Sequence, residues 1–177
     1  MKLVILDRDG TINHDSDQYI KSPAEWKPIK GSLEAIARLT QDGWRVVVAT
    51  NQSGIGQGLF DMATLNAIHD NMHRAVHQAG GRIDAIFFCP HPRDSNCECR
   101  KPKPGMLLEI AKRLNVDLEG VPAVGDSLRD LQAAAAAGAK PVLVLTGKGR
   151  QTREAGGLPQ GTVVYPDLAA FAAQLAP

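Results

Sequence analysis

The chain has 177 residues, of which 20 are Lys or Arg and 19 are Asp or Glu, for a net charge of +1. That length suits one domain around one core, and a composition 44% hydrophobic and 22% charged excludes a disordered or collagen-like chain. The even charge balance excludes binding of duplex nucleic acid or an anionic membrane by bulk attraction, so any anion must be gripped at a local site.

The first apolar run, Leu3 to Leu6, stops at Asp7, far short of the roughly 7 to 15 residues of a signal-peptide core. Nothing approaches the roughly 18 apolar residues of a membrane span. A soluble, cytoplasmic, monomeric protein is expected, with no membrane or nucleic-acid partner. After Asn13 to Pro28, a stretch of little periodicity that includes Asp15, Asp17, Tyr19 and Trp26 and is expected to form a flap, Ser32 is expected to cap a helix carrying Leu33, Ile36, Ala37 and Leu39 before Gly43. A buried strand follows at Val46 to Ala49. Asp61 caps a second helix with Leu65, Ile68, Met72 and Val76 on one face, ending at Gly80 and Gly81. Strands at Ala85 to Phe88, Pro122 to Val124 and Val142 to Leu145 alternate with helices over about Met106 to Leu114 and Leu128 to Ala137, and a last helix covers about Leu168 to Leu175. Gly147 to Gly161 is expected to be a polar loop. Strand and helix in alternation predict one α/β domain over residues 1–177, a parallel sheet with helices on both faces.

In such folds ligands collect at the carboxyl ends of the strands. The residues there are Asp7 and Asp9, Thr50 and Asn51, and Asp126. Side chains two apart on extended backbone point the same way, so Asp7 and Asp9 can share one cation.

All three cysteines lie between Cys89 and Cys99. With His91 they make a C-x-H and C-x-C set, Cys89, His91, Cys97 and Cys99, enough to close a tetrahedral zinc site with no open position. An odd number of clustered cysteines in a reducing compartment favours a metal over a disulfide framework. Three thiolates and an imidazole around Zn²⁺ leave about one negative charge, which Arg93, Arg100 and Lys101 can offset. Such a structural zinc would stiffen the loop at about residues 89–100 and fix Arg100 and Lys101 beside it. His69, His73 and His77 fall four apart, beside the apolar helix face, and are assigned to a partly exposed flank with no metal. Trp26 and Trp44 are assigned to packing, and Lys148, Arg150 and Arg153 to a solvated loop.

DRDGT at Asp7 to Thr11, TNQSG at Thr50 to Gly54, RKPKPG at Arg100 to Gly105 and VGDSLRD at Val124 to Asp130 resemble, in order and placement, the haloacid dehalogenase superfamily of phosphohydrolases. The resemblance implies a Rossmann-like sheet, and the short intervals between motifs leave no room for a large cap domain. It implies Asp7 as nucleophile on phosphorus, Asp9 as general acid and then base, and catalytic Mg²⁺ on Asp7, Asp126 and the main-chain carbonyl of Asp9. Thr50 and a lysine would stabilise the transferring phosphoryl group. That lysine is Lys101 or Lys103; the Arg-Lys-Pro string of similar proteins favours Lys101. Asp130 would orient Asp126 or a water on the metal from the first turn of its helix.

The zinc loop directly upstream of that string is similar to the subgroup acting on a heptose bisphosphate or on histidinol phosphate, and more to the former, which supplies nucleotide-activated heptose for lipopolysaccharide. The resemblance implies a small sugar bisphosphate as substrate. Arg100 would face its distal phosphate, and Asn51, Gln52 and Ser53 would line the reacting phosphate with Thr50 and Lys101, under Asp15 and Tyr19 of the flap. Ser127 departs from the lysine that many heptose enzymes carry there, which leaves the substrate less defined than the chemistry.

Overall fold

A computed structural model describes residues 1–175. Among them one sheet has six parallel strands, β1 (Leu3–Leu6), β2 (Arg45–Asn51), β3 (Ala85–Cys89), β4 (Pro122–Gly125), β5 (Lys140–Val144) and β6 (Val163–Tyr165), in the spatial order β3-β2-β1-β4-β5-β6. The helices are α1 (Ser32–Gln41), α2 (Ser53–Gly56), α3 (Met62–Gln78), α4 (Gly105–Leu114), α5 (Leu128–Ala136), α6 (Gly149–Ala155) and α7 (Leu168–Leu175).

The central strand shows why the sheet is covered twice. In β1 the alternating side chains Val4 and Leu6 enter one apolar layer with Ile36 and Leu39 of α1, Ile68 and Met72 of α3, and Phe171 of α7. Leu3 and Ile5 enter the other, with Met106, Leu107 and Ile110 of α4 and Ala134 of α5. Each fully buried side chain of this size contributes roughly 1.5 to 3 kcal/mol, so both faces need their helices.

Chain order reverses beside β1, which pairs with β2 on one side and with β4 on the other. Loops leaving neighbouring strands toward opposite faces open a crevice at their carboxyl ends. Asp7 leaves β1 and Asp126 leaves β4 at that crevice.

The helix starts follow local chemistry, with one correction. Asp61 caps α3 by accepting from the Thr64 amide at 2.8 Å, and Ser127 begins α5 in a reciprocal capping box with Asp130. Ser32, expected as the cap of α1, is its first residue. Gly31, at φ 89°, holds the cap position, and the Ser32 hydroxyl instead donates to the Thr11 carbonyl at 2.9 Å. That bond ties α1 to the loop after β1. Two further expectations change: β2 continues through Thr50 and Asn51, and the stretch expected as a loop contains α6. No helix among the described residues is long and apolar enough to cross a membrane.

Candidate active site

A cavity of about 130 Å³ opens over the carboxyl ends of β1, β2 and β4. Asp7, Asp9, Thr50, Lys101 and Asp126 converge on it from four separate segments, and Asp15, Tyr19, Asn51, Ser53 and Arg100 also line it.

The Lys101 ammonium is buried and donates to Asp7 Oδ1 at 3.0 Å and to Asp130 Oδ1 at 2.8 Å. Burial alone would lower its pKa, but Asp130 and Asp7 outweigh that and raise it, so the ammonium is kept. Lys103 points elsewhere, donating to the Cys97 carbonyl at 3.0 Å. The backbone of Lys101 is held by Asn51, whose side chain accepts from the Lys101 amide at 3.1 Å and donates to its carbonyl at 3.2 Å.

Burial and then the charges of Asp130, Asp126 and Asp9 drive the Asp7 carboxyl well above the usual range, against the opposing pull of Lys101. Burial and Asp130 push Asp126 up to about 7. Asp130 moves the other way: burial would raise it, but Lys101 and donors from Ser127 hold it down. Asp7, Asp126 and Asp130 place carboxylate oxygens within 4.8 Å of one another. Two acidic groups raised by burial and then by neighbouring carboxylates fit a divalent cation that would be their counter-charge. Asp130 is already committed, since Oδ2 accepts from the Asp126 amide at 3.2 Å, the Ser127 amide at 3.1 Å and the Ser127 hydroxyl at 2.9 Å. It therefore orients Asp126, leaving Asp7 and Asp126 as the open donors. Gly10 at φ 84° and Gly147 at φ 55° pack against the Asp126 carboxylate, where a Cβ on either would collide with it.

Asp9 sits in a web of donors. Oδ1 accepts from Arg8 Nε at 2.9 Å and Asn13 Nδ2 at 2.9 Å, and Oδ2 from Gln52 Nε2 at 3.2 Å. Gln52, expected to line the reacting phosphate, is buried and turned toward Asp9 and the Thr50 hydroxyl, 3.0 Å away. His69 is also corrected. Expected on a partly exposed flank, it is 7% exposed, and its Nε2 lies 3.1 Å from Arg8 Nη1. The spacing of histidines on α3 held no sign of this, because the partner is on another element.

Arg93, Arg100 and Arg129 share the outer wall of the cavity with Lys148 and with Asp15, Ser16 and Asp17 of the flap. Burial and the like charges of Arg129 and Arg93 lower the Arg100 pKa, and Arg100 Nη1 is buried without a hydrogen-bond partner among the described residues. An anion would satisfy both conditions. Sequence reasoning missed Arg129 and assigned Lys148 to solvent. The second position of α5 and the return of the β5 loop past Gly10 bring them here.

The cysteine loop makes a second constellation. Cys89 Sγ lies 3.4 Å from His91 Nδ1 and 3.6 Å from Cys97 Sγ, and His91 Nδ1 lies 3.3 Å from Cys99 Sγ. A tetrahedron with Zn–S of about 2.3 Å and Zn–N of about 2.0 Å has edges of roughly 3.5 to 3.8 Å. The four atoms are therefore spaced as ligands of one ion. Burial and the neighbouring thiols Cys89 and Cys97 push Cys99 up to about 12, a crowding that a cation relieves.

The chain matches the family model described as Polynucleotide kinase 3 phosphatase over residues 2–134 and the one described as HAD-hydrolase-like over residues 98–171. It is 67% identical over 175 residues to the D-glycero-β-D-manno-heptose-1,7-bisphosphate 7-phosphatase of Bordetella bronchiseptica, covering 99% of this chain and 98% of that protein. To the protein of the same name from Pseudomonas putida it is 56% identical, covering 99% of each. Its fold superimposes, with a TM-score of 0.98 over 99% of this chain and 98% of the other, on the crystal structure of the B. bronchiseptica D,D-heptose 1,7-bisphosphate phosphatase complexed with magnesium and phosphate. The corresponding phosphatase of Burkholderia thailandensis, 58% identical, gives a TM-score of 0.80 over 98% of this chain and 97% of that one.

Proposed function

Since the chain belongs to the haloacid-dehalogenase-like hydrolases, among the heptose-1,7-bisphosphate 7-phosphatases, we propose that it removes the 7-phosphate of D-glycero-β-D-manno-heptose 1,7-bisphosphate. The observation that carries this reading is full-length identity of 55 to 67% to phosphatases of that one substrate. Histidinol phosphate is not favoured, because none of these relatives is named for it.

The residues divide the labour. Lys101 holds Asp7 Oδ1 and leaves Oδ2 without a hydrogen-bond partner among the described residues, so Oδ2 is the oxygen that attacks phosphorus. Asp7, Asp126 and the Asp9 main-chain carbonyl would hold Mg²⁺, which when bound screens the repulsion between carboxylate and phosphate. Lys101 and the Thr50 hydroxyl face the equatorial phosphoryl oxygens, where charge persists through the transition state. Asp9 gives a proton to the departing sugar oxygen and then takes one from the water that hydrolyses the Asp7 acyl phosphate. The anomeric phosphate fits the Arg93, Arg100 and Arg129 wall, whose three cations otherwise face one another.

Cys89, His91, Cys97 and Cys99 would hold Zn²⁺ as a structural ion, with no position left for a substrate. Its effect on catalysis is indirect: Cys99 precedes Arg100 and Lys101, so a rigid loop fixes both.

The test is phosphate release with Mg²⁺ from both anomers of the heptose bisphosphate and from histidinol phosphate. A kcat/KM highest for the β anomer is expected. A preference for histidinol phosphate would overturn the substrate assignment and leave the chemistry intact.

A further inference from the structure

Asp7 and Asp9 point into the cavity, and the residue between them points away from it. Arg8 has no exposed surface at all, and an unbalanced guanidinium in such a place is strongly unfavourable. Its two ends are engaged differently. On one side Nε donates to Asp9 Oδ1 at 2.9 Å, and Nη2 lies 2.9 Å from the same oxygen as an ion-pair contact. On the other side Nη1 meets His69 Nε2 at 3.1 Å, across 61 residues of chain.

Arginine can only donate, so His69 must accept at Nε2 and carry its proton on Nδ1. The ring is thereby a neutral acceptor. Burial, with the charge of Arg8, lowers its pKa to about 3, in keeping with that geometry. His69 comes from the middle of α3, itself packed on the sheet through Leu65, Ile68 and Met72. The guanidinium is therefore braced against a rigid helix.

The consequence falls on the two oxygens of Asp9. Oδ1 is occupied by Arg8 and by Asn13 Nδ2 at 2.9 Å, whereas among the described residues Oδ2 receives only Gln52 Nε2 at 3.2 Å. A carboxylate whose one oxygen is saturated cannot rotate without breaking those bonds, and it exchanges protons through the other.

We infer that Arg8 and His69 are positioning residues for proton transfer, a buried brace that pins Asp9 Oδ1 and presents Oδ2 to the leaving-group oxygen. This rests on the reading of Asp9 as the general acid. Neither residue touches substrate.

The experiment uses leaving-group chemistry to separate positioning from general damage. A sugar alkoxide cannot depart without a proton, whereas 4-nitrophenolate can, so a defect in the acid slows the first far more than the second. The kcat of wild type, His69→Leu, His69→Gln, Arg8→Lys and Asp9→Asn would be measured on the heptose bisphosphate and on 4-nitrophenyl phosphate. His69→Leu is expected to lose roughly 10- to 100-fold more on the sugar phosphate than on the aryl phosphate, with KM little changed. His69→Gln, which keeps an acceptor for Arg8, is expected to regain most of that loss. Arg8→Lys, which keeps the charge but cannot span both partners, should show the same selectivity as His69→Leu, and serves where His69→Leu impairs folding.

Equal losses on both substrates for His69→Leu and Arg8→Lys, beside a selective loss for Asp9→Asn, would overturn the brace alone. Equal losses for Asp9→Asn as well would overturn the reading of Asp9 on which it rests.

Discussion

Asn51 and Lys101 clasp each other through a side-chain amide and a backbone amide. The Asn51 oxygen accepts from the Lys101 N–H at 3.1 Å, and its nitrogen donates to the Lys101 carbonyl at 3.2 Å. Asn51 ends β2, so the clasp moors the segment after the cysteine loop to the sheet, with the Lys101 ammonium 3.0 Å from Asp7. Asn51→Ala removes both bonds and leaves two backbone groups to find water. Stability should fall by about 1 to 2 kcal/mol, and kcat by at least about 10-fold as the ammonium drifts. Denaturant melts and steady-state kinetics check this; unchanged kcat would deny the clasp a part in catalysis.

The two lysines around Pro102 should behave differently. Lys101→Met strands Asp7 and Asp130 without their shared cation and should lower stability by about 3 kcal/mol while removing nearly all turnover. Lys103 is exposed, and among the described residues its ammonium meets the Cys97 carbonyl and Glu98. Lys103→Met should keep kcat within about 2-fold and change stability by less than about 0.5 kcal/mol. A reversed order would reassign the phosphate-facing lysine.

The cysteine cluster predicts a linked loss. Cys97→Ala leaves three donors for a tetrahedral ion, so bound zinc, thermal stability and kcat should decline together. Elemental analysis of the purified variant beside its melting curve provides the check. Full zinc content with an unaltered melt would remove Cys97 from the ligand set.

His69 predicts an acid limit. In the unfolded chain it titrates near its ordinary value of 6.5, but the folded protein lowers it to about 3, through burial and then the charge of Arg8. A depressed folded pKa means stability is retained above 6.5 and lost as the pH falls toward 3, because the unfolded state binds the proton first. Between pH 6.5 and 5 this amounts to about 2 kcal/mol. Denaturant midpoints across that window should fall in wild type and less steeply in His69→Gln; parallel slopes would show that another group sets the acid limit.

What the sequence disclosed and what it hid follow from the range of the signals. Strands such as Leu3–Leu6 and the acidic residues at their ends were legible, because a continuous apolar run buried on both faces and strand-end chemistry are written in neighbouring residues. The Cys-His loop was legible for the same reason: its four donors lie within 11 consecutive positions of one another. Strand β6 was not, being an apolar run of only three residues, half-buried at the sheet edge. Ser32 misled because its hydroxyl found a tertiary acceptor in Thr11 while Gly31 supplied the turn. Arg8 and His69 were beyond local reasoning, since only the packing of α3 under β1 makes them partners.

The most direct test of the central claim is to find where the phosphate goes. Enzyme quenched in acid during turnover of the heptose bisphosphate with Mg²⁺, then digested and mapped by mass spectrometry, should carry phosphate on the peptide containing Asp7, and Asp7→Asn should carry none and release none. Turnover that persists in Asp7→Asn, or a phosphoryl group trapped on another residue, would contradict the account.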